Sequence, residues 1–425
     1  MVMWALETKL VQPKGYGSPW LWDTMQVCTD CKWVYKIKTQ AYVSVERYKG
    51  HLVAKGFTQE CDIDYEETFA YVTRLTSVRS LLAIVTVRHW SLFQMDVKNA
   101  FLNGDLLKEV YMQPPPGYPN FHNQVCRLRR ALYGLKQAHR AWFAKFSYVV
   151  VQWDFTPSPY DSTLVLRQTS TGITLILLYA KYTSDILSKA NLTNSKTASN
   201  PLELNIKFNA TDGEPLSDAT LYRQLLSSFI YHTVTHLNLA YVVHPGTLFH
   251  GLHFSTQSSL ELRAYGDADW VGNPTDRRST TGYCFLLGSF FISWHSKKQF
   301  IIARSNTKVE YRALADATSE LLWLRWLLTD MGASQTTSTP IHCDNRSVIH
   351  IAHNDVFHER TKHIEINCHF ICHYLQQYTF HLLFVSSKDH LADVFTKSHL
   401  PSCLHDLVSK LKMTSSSPPC VEEGC

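Results

Sequence analysis

Four acids in the C-terminal third of this 425-residue chain stand where strands end or helices begin. Asp267 closes the alternating segment Glu261–Asp267, in which Arg263, Tyr265 and Asp267 share a face. Glu310 lies one step upstream of the apolar stripe Leu314, Ala317, Leu321, Leu324 and Leu328. The three-and-four spacing of that stripe predicts a helix from Asn306 to a stop at Gly332. A carboxylate in line with a buried face either serves chemistry or favours the positive end of its helix. Asp344 ends the strand Pro340–Asp344, ahead of Asn345 and a further helix. Asp393 falls on a short amphipathic helix after the strand Phe380–Val385. In an α/β module such points gather at one end of a sheet. Converging carboxylates repel one another unless cations neutralise them. Hard, oxygen-seeking Mg²⁺ fits such a set, with Mn²⁺ as a substitute, whereas zinc would want His or Cys. Two such ions side by side suit phosphodiester hydrolysis.

Other groups carry weaker chemical signals. Cys28 and Cys31 form a single Cys-x-x-Cys with no second pair at zinc spacing, two ligands short of a structural site. Cys368, His369, Cys372 and His373 sit one turn apart on an expected helix, where packing and exposure explain them as well as a metal does. Eleven cysteines scattered from Cys28 to Cys425, without a secretion signal, read as reduced thiols. Between Val125 and Ala141 stand Arg127, Arg129, Arg130, Lys136 and Arg140 with no acid among them, either a phosphate-binding patch or a solvated face.

The elements that must position these groups are legible in outline. The chain is 45% hydrophobic and 18% charged, which excludes wholesale disorder. The net charge of +5 is too small to decide about nucleic acid by itself. No apolar run reaches bilayer length, and the N-terminus does not read as a signal peptide, so a non-secreted, intracellular protein with no membrane contact is expected. Residues 1–30 show no period. Trp33–Lys38 and Leu52–Ala54 read as one hairpin. A helix is expected over Leu75–Trp90 with Leu81, Leu82 and Val85 inward, then a buried strand, Leu92–Val97, containing Asp96. Another helix is expected from Gln137 to about Val151, with Trp142, Phe143 and Phe146 inward. Residues 187–220 are polar and broken, and a short helix follows over Leu221–Val234. Alternating segments around Gly282 and Gly288 predict a β-meander, and Met413 to Cys425 reads as an unstructured tail.

Several stretches carry a resemblance: Asp267-Ala-Asp-Trp, Asp-Arg-Arg-Ser-Thr-Thr-Gly-Tyr (276–283), Ile-Ser-Trp-His-Ser-Lys-Lys-Gln (292–299) and Val-Glu310-Tyr-Arg-Ala-Leu. Cys-Asp344-Asn, Phe-His-Glu-Arg-Thr-Lys-His-Ile-Glu (357–365) and Leu-Ala-Asp393-Val-Phe-Thr-Lys extend it. Residues 262–397 are thereby similar to the RNase H domain of the Pol polyprotein of copia-type LTR retrotransposons. The resemblance implies a catalytic and metal-binding set of Asp267, Glu310, Asp344 and Asp393, with Asp269 as an alternative to Asp267. It also implies an RNA–DNA hybrid as substrate.

Upstream, Cys-Lys-Trp-Val-Tyr-Lys-Ile-Lys (31–38), Leu-Val-Ala-Lys-Gly-Phe-Thr-Gln (52–59), Gln-Met-Asp96-Val-Lys-Asn-Ala-Phe-Leu-Asn-Gly-Asp (94–105) and Leu-Tyr-Gly-Leu-Lys-Gln-Ala (132–138) resemble the reverse transcriptase of the same polyproteins. Asp96 matches the family's first polymerase metal ligand. The second should be a Tyr-Val-Asp-Asp hairpin, but Tyr179 to Ile186 leaves only a displaced Asp185, with Lys181 brought in. Much of the palm and thumb is missing as well. The expected fold is therefore mixed: degenerate α+β reverse-transcriptase fingers and palm over residues 31–186, a linker over 187–261, an RNase H-like α/β domain over 262–397 and a tail over 398–425. The expected activity is Mg²⁺-dependent cleavage of RNA in hybrids without polymerisation. Two other readings stay open: a non-catalytic remnant that at most binds RNA or DNA, and an active polymerase using Asp96 and Asp185.

Overall fold

The computed structural model describes residues 9–11, 28–39, 45–117, 125–178, 250–252, 254–272, 276–303, 305–354, 365–397, 399–411 and 413–415. Most of the N-terminal stretch, the linker up to residue 249, the helix expected at Leu221–Val234, Asp185 and most of the 357–365 motif lie outside them. Two compact units form: Met1–Val72 with Phe93–Pro157, and Thr73–Leu92 with Ser158–Cys425.

The second unit is built on a five-stranded sheet. Its strands are β1 (Leu262–Ala268), β2 (Thr280–Leu287), β3 (Phe290–Lys298), β4 (Thr339–Cys343) and β5 (Phe380–Phe384), in the order β3-β2-β1-β4-β5. The meander β1-β2-β3 is antiparallel, as the alternation predicts, while β4 and β5 run parallel to β1. Gly288 makes the β2–β3 turn at φ +61°, where an added Cβ would lie 2.0 Å from the Ser259 carbonyl oxygen. Helices in this unit are α1 (Leu75–Arg88), α2 (Asn306–Asp330), α3 (Arg346–Ala352), α4 (Glu365–Gln376) and α5 (Pro401–Lys410). This is the mixed α/β sheet flanked by helices expected for the C-terminal domain.

Helix α2 lies on the sheet through the predicted stripe, Leu314, Ala317, Leu321, Leu324 and Leu328, all buried. It stops as expected: Gly332 takes φ +76°, and the Ala333 N–H returns 2.7 Å to the Leu328 carbonyl. Leu407 and Leu411, in and just after α5, pack with Leu286, Phe291 and Phe395 in a separate apolar cluster. On α4, Cys368 and Cys372 are buried while His369 and His373 are exposed, so packing accounts for that quartet. Met413–Ser415, expected to be part of an unstructured tail, instead pairs antiparallel with His250–Leu252.

Helix α1 belongs to this same core; of the residues expected inward Leu81 packs against it, but the buried face is turned away from Leu82 and Val85. Leu81, Leu82 and Val85 are only half-buried, while Ser77, Ser80, Ala83 and Ile84 are buried. The helix meets β3 through Thr76 and Arg79. There the Thr76 hydroxyl lies 3.2 Å from that of Ser293, and the Arg79 guanidinium donates to the Ile292 carbonyl at 3.0 Å. That guanidinium also sits 3.8 Å from the centre of the Trp294 ring. Leu164, from the hairpin Leu164–Thr169/Gly172–Leu177, joins Ala83 and Ile84 in the cluster around α2 and the sheet.

In the first unit the expected hairpin is present, Cys31–Thr39 against Val45–Ala54. Asp105–Met112 pairs with Val125–Arg130, which also pairs with Lys9–Val11. Two of the motif stretches interlock. The Ala54 N–H donates to the Tyr133 carbonyl at 2.8 Å, and the Lys136 ammonium donates to the Gln59 carbonyl at 2.9 Å. Gly134 takes φ +92°, with the Ala54 carbonyl 2.1 Å from where a Cβ would stand. The helix spans Ala138–Gln152, but Trp142, Phe143 and Phe146 are only half-buried. The buried strand expected at Leu92–Val97 does not form. That segment takes no regular structure and is exposed, Phe93 by 81% and Met95 by 77%, and no described strand pairs with it. Among the described residues no helix is long and apolar enough to cross a membrane.

Ile84 is fully buried in the α1 contribution to the second core. Ile84→Ala is expected to lower that unit's stability by about 2–4 kcal/mol, the cost of a buried large-to-small change, read by chemical denaturation.

Candidate metal-binding site

Strands β1 and β4 are parallel neighbours, so their C-terminal ends emerge on the same edge of the sheet. Asp267 stands near the end of one and Asp344 just beyond the end of the other. The first turns of α2 carry Glu310 to that edge, and a 3₁₀ turn, Leu391–Phe395, brings Asp393. One ligand atom each from Asp267, Asp344, Asp393 and His390 lies within 4.8 Å of the others; Glu310, Cys343 and Asp344 make a second such group. The four acids singled out in the sequence are thus gathered at one end of one sheet. They line or adjoin a cleft of about 650 Å³ bordered by Asp269, Trp270, Glu310, Asp344, Asn345 and Lys397.

Each acid is held differently. Asp267 is fully buried; the Thr396 hydroxyl donates to it, and the Lys397 ammonium lies 3.3 Å from its Oδ2. The same ammonium lies 3.3 Å from Asp393 Oδ1. His390 Nδ1 donates to that Asp393 oxygen at 2.8 Å, and Nε2 points to the His342 carbonyl at 3.4 Å. Both ring nitrogens face acceptors, which suits the doubly protonated imidazolium. Asp344 accepts from the Ser387 hydroxyl at 3.0 Å. The next residue, Asn345, caps α3 by accepting from the Ser347 and Val348 N–H groups. Among the described residues no hydrogen bond or ion pair holds the Glu310 carboxylate, which is 5% exposed.

The electrostatics follow from this. Burial pushes Asp267 up, against the pull of Lys397. Burial, then the charges of Asp267 and Asp344, push Glu310 up to about 9. Burial would also raise Asp393, but the His390 hydrogen bond and Lys397 outweigh it and hold that acid below its ordinary range. For His390 burial works downward, and the Asp393 hydrogen bond with the surrounding acids carries it upward. The four carboxylates supply oxygen donors of the kind a hard divalent cation takes.

Asp269 borders the cleft but is engaged otherwise. Its carboxylate accepts from the Thr280 N–H, and it belongs to neither ligand group. His390 and Lys397 were not singled out from the sequence. Their spacing from Asp393, three residues before and four after, is the helical signal that could have found them.

In the first unit Asp96 is exposed and belongs to no group of three metal-ligating side chains among the described residues. Asp185 lies outside them. The basic stretch 127–140 is acid-free only in sequence. Arg127 pairs with Glu109 at 2.7 Å, Arg140 pairs with Glu67, and Lys136 donates to the Gln59 carbonyl and to the Tyr65 hydroxyl. Arg129 and Arg130 are exposed on the strand Val125–Arg130.

A reverse transcriptase (RNA-dependent DNA polymerase) family model matches residues 24–181. The Retrovirus-related Pol polyproteins from transposons RE1 and RE2 of Arabidopsis thaliana are each 33% identical to the chain, over 91% and 92% of it. The chain spans 32% of the length of each. The alignment with the RE1 protein runs over 466 residues, more than the 425 of the chain, so that relative carries residues within the aligned span that are missing here. A solved RNase H1 from the archaeon Halobacterium salinarum NRC-1 aligns over 34% of this chain and 98% of its own. It is 17% identical with a TM-score of 0.24, too loose a likeness to bear on the fold.

Glu310 supplies a direct test of the charge crowding. A carboxyl whose pKa is raised on folding costs stability above its unfolded value, and the cost grows until the folded pKa is passed. Glu310→Gln is therefore expected to raise the stability of the metal-free protein by about 1–3 kcal/mol near neutral pH. The gain should shrink toward about pH 5, as thermal or urea unfolding at several pH values would read.

Proposed function

Because the chain belongs to the Pol polyproteins of copia-type retrotransposons, we propose that its second unit hydrolyses the RNA strand of RNA–DNA hybrids in a reaction dependent on divalent metal. The observation that carries this reading is the convergence of Asp267, Glu310, Asp344 and Asp393 on one cleft. Mg²⁺ held by these acids would supply the Lewis acidity that phosphodiester hydrolysis needs.

The chain's own residues prepare that site. Thr396 and Lys397 fix the Asp267 carboxylate, and His390 fixes that of Asp393. Lys397 keeps two acids close while no divalent cation is bound, and its ammonium must yield as one enters. Exposed Trp270 and the Arg346 guanidinium, 4.4 Å from the centre of the Phe384 ring, flank the opening. They offer a flat apolar face and a positive charge to a nucleic acid backbone. In the first unit, Arg129, exposed on the strand Val125–Arg130, is the better placed of the five basic residues for phosphates, since Arg127, Arg140 and Lys136 hold partners of their own unit. Polymerisation is not expected, as Asp96 stands on an exposed segment without regular structure rather than at the end of a strand.

A labelled RNA–DNA hybrid incubated with the full chain and Mg²⁺ tests the reading. Cleavage of the RNA strand alone is expected. Chelation should abolish it, and Asp344→Asn should lower it by roughly a hundredfold or more, the scale of losing a group that stabilises transition-state charge. Primer extension run in parallel should give no product. Salt-sensitive binding without cleavage would instead make the chain a nucleic-acid-binding remnant. Extension that disappears in Asp96→Asn would restore the polymerase.

A further inference from the structure

Beside Glu310 and Asp344 of the cleft lies one group that phosphodiester hydrolysis does not call for. Cys343 is the last residue of β4, directly before Asp344, and is 3% exposed. Successive strand residues point to opposite faces, and the Cys343 side chain takes the face on which α2 lies. Its sulfur is within 4.8 Å of a carboxylate oxygen of Glu310 and of one from Asp344, and those two oxygens are equally close to each other. The Asn345 N–H donates to the sulfur at 3.4 Å, and the thiol donates to the Asn345 carbonyl at 3.9 Å. Opposite it stands the Glu310 carboxylate, 5% exposed and without a hydrogen-bonding or ionic partner among the described residues. A buried acceptor directed at a thiol and a second carboxylate is a ligand set of mixed hardness. Mg²⁺ has little affinity for sulfur, whereas zinc and its softer congeners favour it.

We propose that Glu310, Cys343 and Asp344 form a site for a thiophilic divalent cation of the zinc class, which overlaps the Mg²⁺ site and blocks hydrolysis when filled. On binding, the S–H bond breaks, its proton leaves to solvent and a sulfur–metal bond forms, with no change of oxidation state. The two carboxylates complete three protein ligands and leave the remaining position to water. The inhibition rests on reading the cleft as the Mg²⁺ site of hybrid cleavage; the coordination itself does not. Glu310 and Asp344 belong to both ligand sets, so the two cations exclude one another.

Cadmium is the probe, because its thiolate complexes absorb in the ultraviolet. The full chain is titrated with Cd²⁺ alone and then against increasing Mg²⁺. Cys343→Ser is expected to lose one equivalent of thiolate–cadmium absorbance relative to the unaltered chain, whatever exposed Cys61 and Cys403 contribute to both. Glu310→Gln, which leaves the thiol in place, should keep that equivalent but bind it roughly tenfold more weakly. Mg²⁺ should compete for it. In the cleavage assay, with each variant normalised to its own Mg²⁺-supported rate, Cys343→Ser should need roughly tenfold or more Zn²⁺ for the same inhibition. Equal cadmium stoichiometry in the unaltered chain and Cys343→Ser overturns the site, as does unchanged affinity in Glu310→Gln. Cys343→Ala serves the same comparison if the serine variant does not fold. If the unaltered chain cuts no hybrid, the absorbance titration still decides the site, so the two readings fail separately.

Discussion

Negative charge brought together out of water is the constraint on which the second unit turns. β1 and β4 are parallel, so both deliver a carboxylate to the same edge; α2 and the turn Leu391–Phe395 add one each. Nothing in hydrophobic packing asks for this. Glu310 occupies a position on α2 that its stripe would fill with an apolar residue, and burial with two neighbouring acids raises its pKa to about 9. A fold that keeps such a residue in its core gives up stability for a property of the site, in the way buried unpaired charge generally does.

The surrounding structure limits that cost locally. Lys397 spans Asp267 and Asp393, and His390 donates to Asp393 from a fully buried position. For these contacts to form, the turn that carries Asp393 must lie against β2. Gly282 makes that possible, since a Cβ there would fall 2.5 Å from Thr396 Cγ2 and 3.0 Å from Phe395 Cβ. A glycine that reads in sequence as a break in alternation is thus the residue that lets the fourth acid reach the other three. Its role is set by close approach and not by its backbone angle.

How much of this was legible depended on whether the signal was local. The α2 stripe, the stop at Gly332 and the alternation of β1 to β3 are periodic within their own segments, and they appear as expected. The four acids were legible as strand ends and helix starts because that property is also local. The face of α1 was not. Large residues such as Leu82 suggested one side, but Ser77, Ser80 and Ala83 are the buried ones and Thr76 and Arg79 reach β3, a choice made by the partner surface. The partners of the basic stretch 127–140 were not legible for a related reason: the acids that pair with Arg127 and Arg140 are Glu109 and Glu67, outside that stretch of sequence. Leu92–Val97 has the composition of a buried strand, yet strand formation needs a neighbour that composition cannot supply.

The two halves of the chain therefore separate packing from chemistry. In the first unit, the stretches 52–59 and 132–138 still grip one another through Ala54, Gly134, Gln59 and Lys136, so the local architecture that these residues encode is intact. Asp96 has no comparable support, because a metal-binding carboxylate is defined by where other elements place its partners. In the second unit, segments from the polymerase-like part, α1 and the hairpin at Leu164, contribute to the same core as α2. Their burial is set by α2 and the five-stranded sheet, and the four-acid edge stands on that same core, so its placement depends on residues that resemble the reverse transcriptase.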